Sequence, residues 1–184
     1  YLNNSLAAVA VGLELGIELS IIKDALANYS GVHRRFEIKA EINGILIIDD
    51  YAHHPTELKA TLATLKLKKA GRIIAVFQPH RYSRTKALAK EFGQAFNDAD
   101  MVIITSIYPA GEKPIPGVDA SLIVENLIKE GHSKVMFIQS FPEIVEFLMS
   151  VVAPQDAIIT LGAGDVWKVG EELSKELKIM NYEL

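Results

Sequence analysis

The sequence predicts an α/β protein: a Rossmann-like, mostly parallel sheet with helices on both faces and an antiparallel hairpin strand at its start. Three observations carry this reading. Five short apolar runs, at residues 45–48, 73–77, 101–104, 135–138 and 157–161, are four or five residues long, β-branched and nearly unbroken, as strands buried on both faces are. Amphipathic segments separate them, and alternating β and α units build a parallel sheet. Asn43-Gly44 stands between FEIKAEI and ILII, and this pair marks a tight hairpin because both residues accept positive φ.

The elements follow in order. Residues 3–15 are rich in Ala and Leu, with Gly16 just beyond, and read as a helix. Ser20 is placed to cap a second helix that runs to about Tyr29 and ends at Gly31. Two helices of this size cannot bury a core of their own, so the chain is expected to divide into residues 1–31 and a domain over 32–184. After the hairpin, Leu58, Leu62 and Leu65 share one helical face by their spacing, and Leu88, Phe92, Ala95 and Phe96 do the same on the next helix. The segment SIYPAGEKPIPG, residues 106–117, holds three prolines and two glycines. It reads as a long loop, and loops of this length in a small domain are usually functional.

Composition narrows the function. The 184 residues are 49% hydrophobic and 23% charged, with 12 Gly and 7 Pro, which excludes disordered and collagen-like chains. No apolar run reaches the ~18 residues of a membrane-spanning helix, and the start lacks the basic region of a signal peptide, so no membrane partner and a cytoplasmic location are expected. The absence of cysteine removes disulfides, thiolate nucleophiles and cysteine-ligated metals. A net charge of -4 argues against nucleic acid as a partner. The first residue is Tyr and the chain opens directly in helical sequence, which points to a piece of a longer polypeptide.

Ligands of open α/β sheets bind beyond the carboxyl ends of the strands, and here those positions carry DDYAHHP after residue 48, QPHRYSR after 77, SIYPAGEK after 105 and GAGD after 161. Four of the five histidines, His33, His53, His54 and His80, lie in these loops or in the GVHRRFE segment. Asp49 to Pro55 admits three readings. It is a helix start with His54 near the cap, Pro55 at the first helical position and Asp49 paired to a neighbouring Arg. Alternatively it is a ribose-binding carboxylate with groups that orient a small charged substrate. A metal site is the third, disfavoured because adjacent residues on a turn seldom converge on one ion. Ser83 reads as the cap of the helix after QPHRYSR, and Arg81 and Arg84, three apart at that helix start, make an anion site for a carboxylate or phosphate. Gly162-Ala163-Gly164-Asp165 falls short of a dinucleotide fingerprint, since Trp167 replaces the third glycine and the motif follows the last strand; it reads as a tight turn. Tyr108, Glu112 and Lys113 are either surface groups or part of the site. No triphosphate-binding loop of the Gly-x-x-x-x-Gly-Lys-Ser/Thr type occurs.

GVHRRFE (31–37), DDYAHHPTE (49–57), FQPHRYSRT (77–85), YPAGEKPI (108–115) and TLGAGD (160–165), in that order and spacing, closely resemble the C-terminal part of the Mur ligases. HRYSRT resembles the segment that, within the family, sets the member acting on UDP-N-acetylmuramate and L-alanine apart from siblings that share only the DD segment, and NNSLAAVAVGLELGI resembles the last helices of the family's central ATPase domain. The resemblance implies an enzyme of peptidoglycan synthesis that uses ATP and magnesium. The substrate carboxylate would be phosphorylated and the amine of L-alanine would attack the acyl phosphate, with cations offsetting the phosphate charge. It further implies that Arg35 and Asp50 contact the nucleotide, that Tyr51 and His53 line the amino-acid pocket, and that His80, Arg81 and Arg84 contact the muramate substrate, with His53, Arg81 and Arg84 as the catalytic set. The phosphate loop, the carbamylated lysine, the magnesium ligands, the UDP-binding domain and the adenine-side His-Asn pair of the family would all precede Tyr1, so no metal ligand is expected in this chain and the fragment alone is expected to be inactive. Two other classes predict different behaviour. A standalone nucleotide-binding hydrolase using Asp49, Asp50 and His53 would turn over by itself, and a non-catalytic binding module would tolerate loss of Arg81 and Arg84.

Overall fold

The computed structural model describes residues 2–29, 31–68 and 71–182. It has two compact units, residues Tyr1–Val32 and His33–Leu184. The first is the helix pair α1 (Leu2–Glu14) and α2 (Leu19–Ala27). Gly12 lets the helices touch, since a Cβ there would stand 2.6 Å from Cδ1 of Ile22. Among the described residues of this unit Ile22 is the one buried large hydrophobic side chain, whereas Leu6, Val11, Leu13, Leu15, Leu19 and Ile21 are exposed. Gly16 has φ 72° and closes α1 as expected. Ser20 does not cap α2. The helix begins one residue earlier with Glu18 at the cap position, and the Ser20 hydroxyl bonds the Glu18 carboxylate.

The second unit is built on six strands, β1 (Glu37–Ile42), β2 (Ile45–Asp50), β3 (Ile73–Phe77), β4 (Met101–Ile104), β5 (Val135–Phe137) and β6 (Ala157–Leu161). Their order across the sheet is β1-β2-β6-β3-β4-β5. β1 and β2 are antiparallel and every other neighbouring pair is parallel. The turn between β1 and β2 has Asn43 at φ 54° and Gly44 at φ 76°, the two positive values that match a hairpin turn to the twist of its strands. The mostly parallel Rossmann-like sheet with an antiparallel first strand is therefore the fold that the sequence predicts. β3 and β6 lie inside the sheet and are buried along their whole length.

Because side chains alternate across a strand, β2, β3, β4 and β6 each feed two cores. Ala75, Phe77, Ile104 and Ile159 join Leu58, Leu62 and Leu65 of α3 (Pro55–Lys68), Phe92 of α5 (Ala89–Gly93) and Ile123 and Leu127 of α6 (Ser121–Lys129) on one face. Ile74, Val76, Ile103 and Ile158 join Ile144 and Leu148 of α7 (Phe141–Val151) and Val169 and Leu173 of α8 (Trp167–Tyr182) on the other. The expected continuous helix around Leu88, Phe92, Ala95 and Phe96 is broken. α4 (Tyr82–Ala87) stops at Leu88, which leaves helical geometry at φ -114°, and α5 ends at Gly93. Ala95 and Phe96 still reach the core, carried there by the turns after Gly93.

Gly93 shows why the packing is close. A Cβ at this position would meet the Asn126 carbonyl oxygen at 2.9 Å, a backbone atom that cannot swing away. Gly93→Ala is expected to cost about 1 to 3 kcal/mol by overpacking, measured as a lower urea midpoint with unchanged slope. A midpoint equal to wild type would show that α5 and α6 have slack between them.

Candidate functional site

The carboxyl ends of β2, β3, β4 and β6 lie on one edge of the sheet, since these strands are parallel. That edge is organised by a residue that sequence reasoning passed over. Arg34 has φ 58°, and its guanidinium reaches three acceptors. Nε donates to the Asp49 carboxylate at 2.8 Å, Nη1 to the Gly164 carbonyl at 2.9 Å and Nη2 to the Gly162 carbonyl at 2.6 Å. Its own carbonyl accepts the Tyr51 N–H at 2.7 Å. Asp49, 1% exposed, also accepts the Thr160 hydroxyl at 2.7 Å. Asp49 is thus consumed by structure, and the neighbouring arginine that pairs with it is Arg34.

Asp50 is buried too. Its two carboxylate oxygens accept the N–H groups of Phe36 and Ala52, each at 2.7 Å. Burial pushes its pKa up, against the pull of those N–H groups and of Arg35. Pro55 is the first residue of α3, as the helix-start reading expects, and Glu57 completes the start by accepting the N–H groups of His53 and His54 at 3.0 and 3.1 Å. Burial works to raise the Glu57 carboxyl, but these N–H groups with His53 and Arg35 outweigh it and hold its pKa below the ordinary value.

The other nominated residues form a row. The Arg35 guanidinium lies 5.4 Å from the centre of the Tyr51 ring, on the side chain's exposed stretch of the edge. Tyr51 meets His53 edge-on at 5.4 Å between centroids, and His53 stands 5.6 Å from His80. His80 stacks on Tyr108 at 5.5 Å with 13° between the planes. The stack is held by the backbone, because β3 and β4 continue past their ends into a bridge between His80 and Tyr108. Arg81 N–H donates to the Tyr108 carbonyl and Tyr108 N–H to the Pro79 carbonyl, both at 2.8 Å.

The two arginines of HRYSR part company. Arg84 folds back, placing Nη1 3.2 Å from His80 Nδ1 and 3.3 Å from its carbonyl oxygen. Arg81 is exposed, at φ 75°, and its guanidinium has no bonding partner among the described residues. Ser83 is not the helix cap: Arg81 occupies that position. The Ser83 N–H and hydroxyl bond the Glu112 carboxylate at 3.0 and 2.5 Å instead, pinning loop 106–117 to α4. Hydrogen bonding from Ser83 holds the Glu112 pKa low. Tyr108 and Glu112 therefore belong to the site's frame, and Lys113 is a surface residue.

The GAGD turn packs against protein. A Cβ on Gly164 would run into Gln78 Oε1 and the Tyr108 ring, and one on Gly162 would lie 2.8 Å from the Gln78 carbonyl oxygen. Gln78 holds the turn through Oε1, which accepts the N–H groups of Asp165 and Val166 at 2.9 and 3.2 Å, and through Nε2, which donates to Asp165 at 3.1 Å. Among the described residues no three His, Asp or Glu side chains are grouped so as to hold a metal ion. Among them, too, no helix is long and apolar enough to cross a membrane.

Fold and edge together define a Rossmann-like α/β domain whose polar groups gather at the carboxyl ends of its parallel strands. The chain belongs to the Mur ligase family: residues 34–164 match the family model "Mur ligase, glutamate ligase domain". It is 51% identical over 177 residues to the UDP-N-acetylmuramate–L-alanine ligase of Pelotomaculum thermopropionicum, covering 96% of this chain and 38% of that protein. The ligase of the same name from Geobacter sp. strain M21 is 50% identical, with 95% and 38% covered. Among solved structures, the UDP-N-acetylmuramate-alanine ligase of Thermotoga maritima superposes with a TM-score of 0.81 at 29% identity, over 96% of this chain and 37% of that one. The chain thus spans little more than a third of the length of these relatives.

The Arg34 fork makes the testable claim of this section. Arg34→Ala leaves the Asp49 carboxylate buried without its cation and is expected to lower the unfolding free energy by about 3 to 5 kcal/mol. Arg34→Lys should recover only part of this, because an ammonium cannot serve three separated acceptors as a planar fork does. Urea unfolding of the three proteins measures it, and a loss under about 1 kcal/mol, the range of a surface pair, would contradict the fork's role.

Proposed function

We propose that this chain is the C-terminal domain of a cytoplasmic, ATP-dependent ligase that joins L-alanine to UDP-N-acetylmuramate in peptidoglycan synthesis. On this reading residues 1–31 are the last helices of a central ATPase domain and residues 32–184 the C-terminal ligase domain. The observation that carries the proposal is the row from Arg35 to Tyr108 along one sheet edge, in a chain about half identical to ligases of that name. Arg35 and Asp50 are assigned to the nucleotide, Tyr51 and His53 to the amino acid, and His80, Arg81 and Arg84 to the muramate substrate.

The side chains differ in how they fit these roles. Arg35 beside the Tyr51 face offers a nucleotide a cation and an aromatic surface, and Arg81 offers an anion an uncommitted guanidinium. Asp50 serves Phe36 and Ala52 as well, so its loss disturbs the frame along with any ligand. Bound ATP would supply the phosphoryl group that makes the acid substrate electrophilic. The described residues do not fit a magnesium site, and the ion is assigned to the rest of the ligase. Asp49, enclosed by Arg34 and Thr160, is unavailable to a standalone hydrolase, which disfavours that alternative.

The chain by itself, given ATP, magnesium, L-alanine and UDP-N-acetylmuramate, is expected to release no ADP above blank. In the full-length ligase, Arg35→Ala should raise KM for ATP roughly tenfold while leaving KM for L-alanine near wild type, and Arg81→Ala should lower kcat/KM for the muramate substrate by a similar factor, the worth of one charge-assisted hydrogen bond. ADP release by the isolated chain, or unaltered kinetics in both variants, would contradict the proposal.

A further inference from the structure

The two facing histidines sit against partners of opposite chemistry. His53 Nδ1 lies 3.0 Å from the Tyr51 carbonyl oxygen and 3.5 Å from the Glu57 carboxylate. Both partners only accept, so Nδ1 must carry a proton. His80 Nδ1 lies 3.2 Å from Arg84 Nη1, and a guanidinium only donates. Here Nδ1 must be the lone pair and the proton must sit on Nε2. Neither Nε2 atom has a protein partner, and neither is a sealed-off orphan, since among the described residues the one such buried side-chain atom is Nε2 of His132. Both Nε2 atoms therefore open to solvent at the edge, with the rings 5.6 Å apart.

We infer that Glu57 and Arg84 are positioning residues that lock His53 and His80 in opposite tautomers, so that the site presents a nitrogen lone pair beside an N–H donor. This rests on the ligase reading and gives it chemistry. A lone pair next to a donor matches an amine beside an acid substrate: the His53 Nε2 faces the ammonium group of the amino acid and the His80 Nε2–H a carboxylate or phosphate oxygen of the muramate substrate. An ammonium cannot attack until it loses a proton. His53 Nε2 takes that proton, which leaves the amine lone pair free, and the resulting imidazolium is held by Glu57 through Nδ1. His80 stays neutral because a proton on its Nδ1 would point at Arg84. Burial, with Arg84, His53 and Arg81 nearby, holds its pKa below the ordinary value, and Glu112 opposes them weakly. Tyr108, stacked on the ring with 13° between the planes, fixes the plane in which it lies. A group whose folded pKa is depressed in this way binds its proton more weakly folded than unfolded. His80 accordingly contributes stability above the ordinary imidazole range that is lost as pH falls through it.

The test is the nitrogen-15 imidazole spectrum of this chain, which distinguishes the tautomers without any ligand. In the wild type at neutral pH His80 is expected as the pure Nε2–H form and His53 with its proton on Nδ1. In Arg84→Met, His80 should lose the single-tautomer pattern and titrate at higher pH, while in Glu57→Gln His53 should lose part of its preference for the proton on Nδ1. A wild-type His80 protonated on Nδ1, or an Arg84→Met spectrum identical to wild type, would overturn the inference. Since the wild-type measurement stands alone, a variant that fails to fold does not remove the test. The ligase reading is checked separately: in the full-length enzyme Arg84→Met should raise KM for UDP-N-acetylmuramate roughly tenfold while leaving KM for L-alanine near wild type. Locked tautomers with unaltered kinetics would defeat the reading of the site and leave the tautomers, and the reverse result would do the opposite.

Discussion

One guanidinium ties the edge of this sheet together. Three segments far apart in the chain end at the carboxyl edge: the lead-in to β1, the end of β2 and the turn after β6. Each has backbone groups that the sheet no longer satisfies. Arg34 bonds two carbonyls of the last turn and the carboxylate of Asp49, and its own carbonyl takes the Tyr51 N–H. With a buried carboxylate on one side the arrangement stands or falls as a unit, because either partner alone would be costly to bury. Its consequence for function is indirect. Tyr51 leaves β2 in a fixed direction, which places the ring between Arg35 and His53.

From that anchor the row of aromatic and imidazole rings is built by contacts that each use a different element. Glu57 at the start of α3 orients His53, the bridge past β3 and β4 orients His80 against Tyr108, and Glu112 holds the long loop on α4. The glycines of GAGD belong to the same construction. They allow Gln78 and Tyr108 to approach the backbone closely, and the phosphate cradle that such a turn brings to mind is filled by protein. A site assembled on rigid strand ends in this way keeps its groups in place before any ligand arrives, which is what positioning chemistry requires.

Most of the fold was legible because it depends on local pattern. The five apolar runs are strands, the Asn43-Gly44 turn is a hairpin, and the leucines of α3 face a core. What could not be read were features set by partners distant in sequence. Ser83 looks like a cap, but its hydroxyl is taken by Glu112, 29 residues away. Leu88 to Phe96 looks like one helix, but Gly93 must fit against Asn126. Within the site, adjacency misled most: Arg34 and Arg35 are indistinguishable in GVHRRFE, yet one is half-buried in a fork and the other lies on the surface. The same holds for Asp49 and Asp50, whose partners come from β6 and from the segment before β1. The one available signal was register, since neighbouring residues at a strand's end point to opposite faces.

Native-state amide exchange in Arg34→Ala addresses the central claim most directly, that a single side chain holds the edge while the sheet stands independently. The N–H of Tyr51, bonded to the Arg34 carbonyl, and that of Ala52, bonded to Asp50, should lose protection selectively, while Ile74 and Val76 in the centre of the sheet still open only with global unfolding. If Tyr51 and Ala52 kept their protection relative to the central strands, the edge would be held by something other than Arg34.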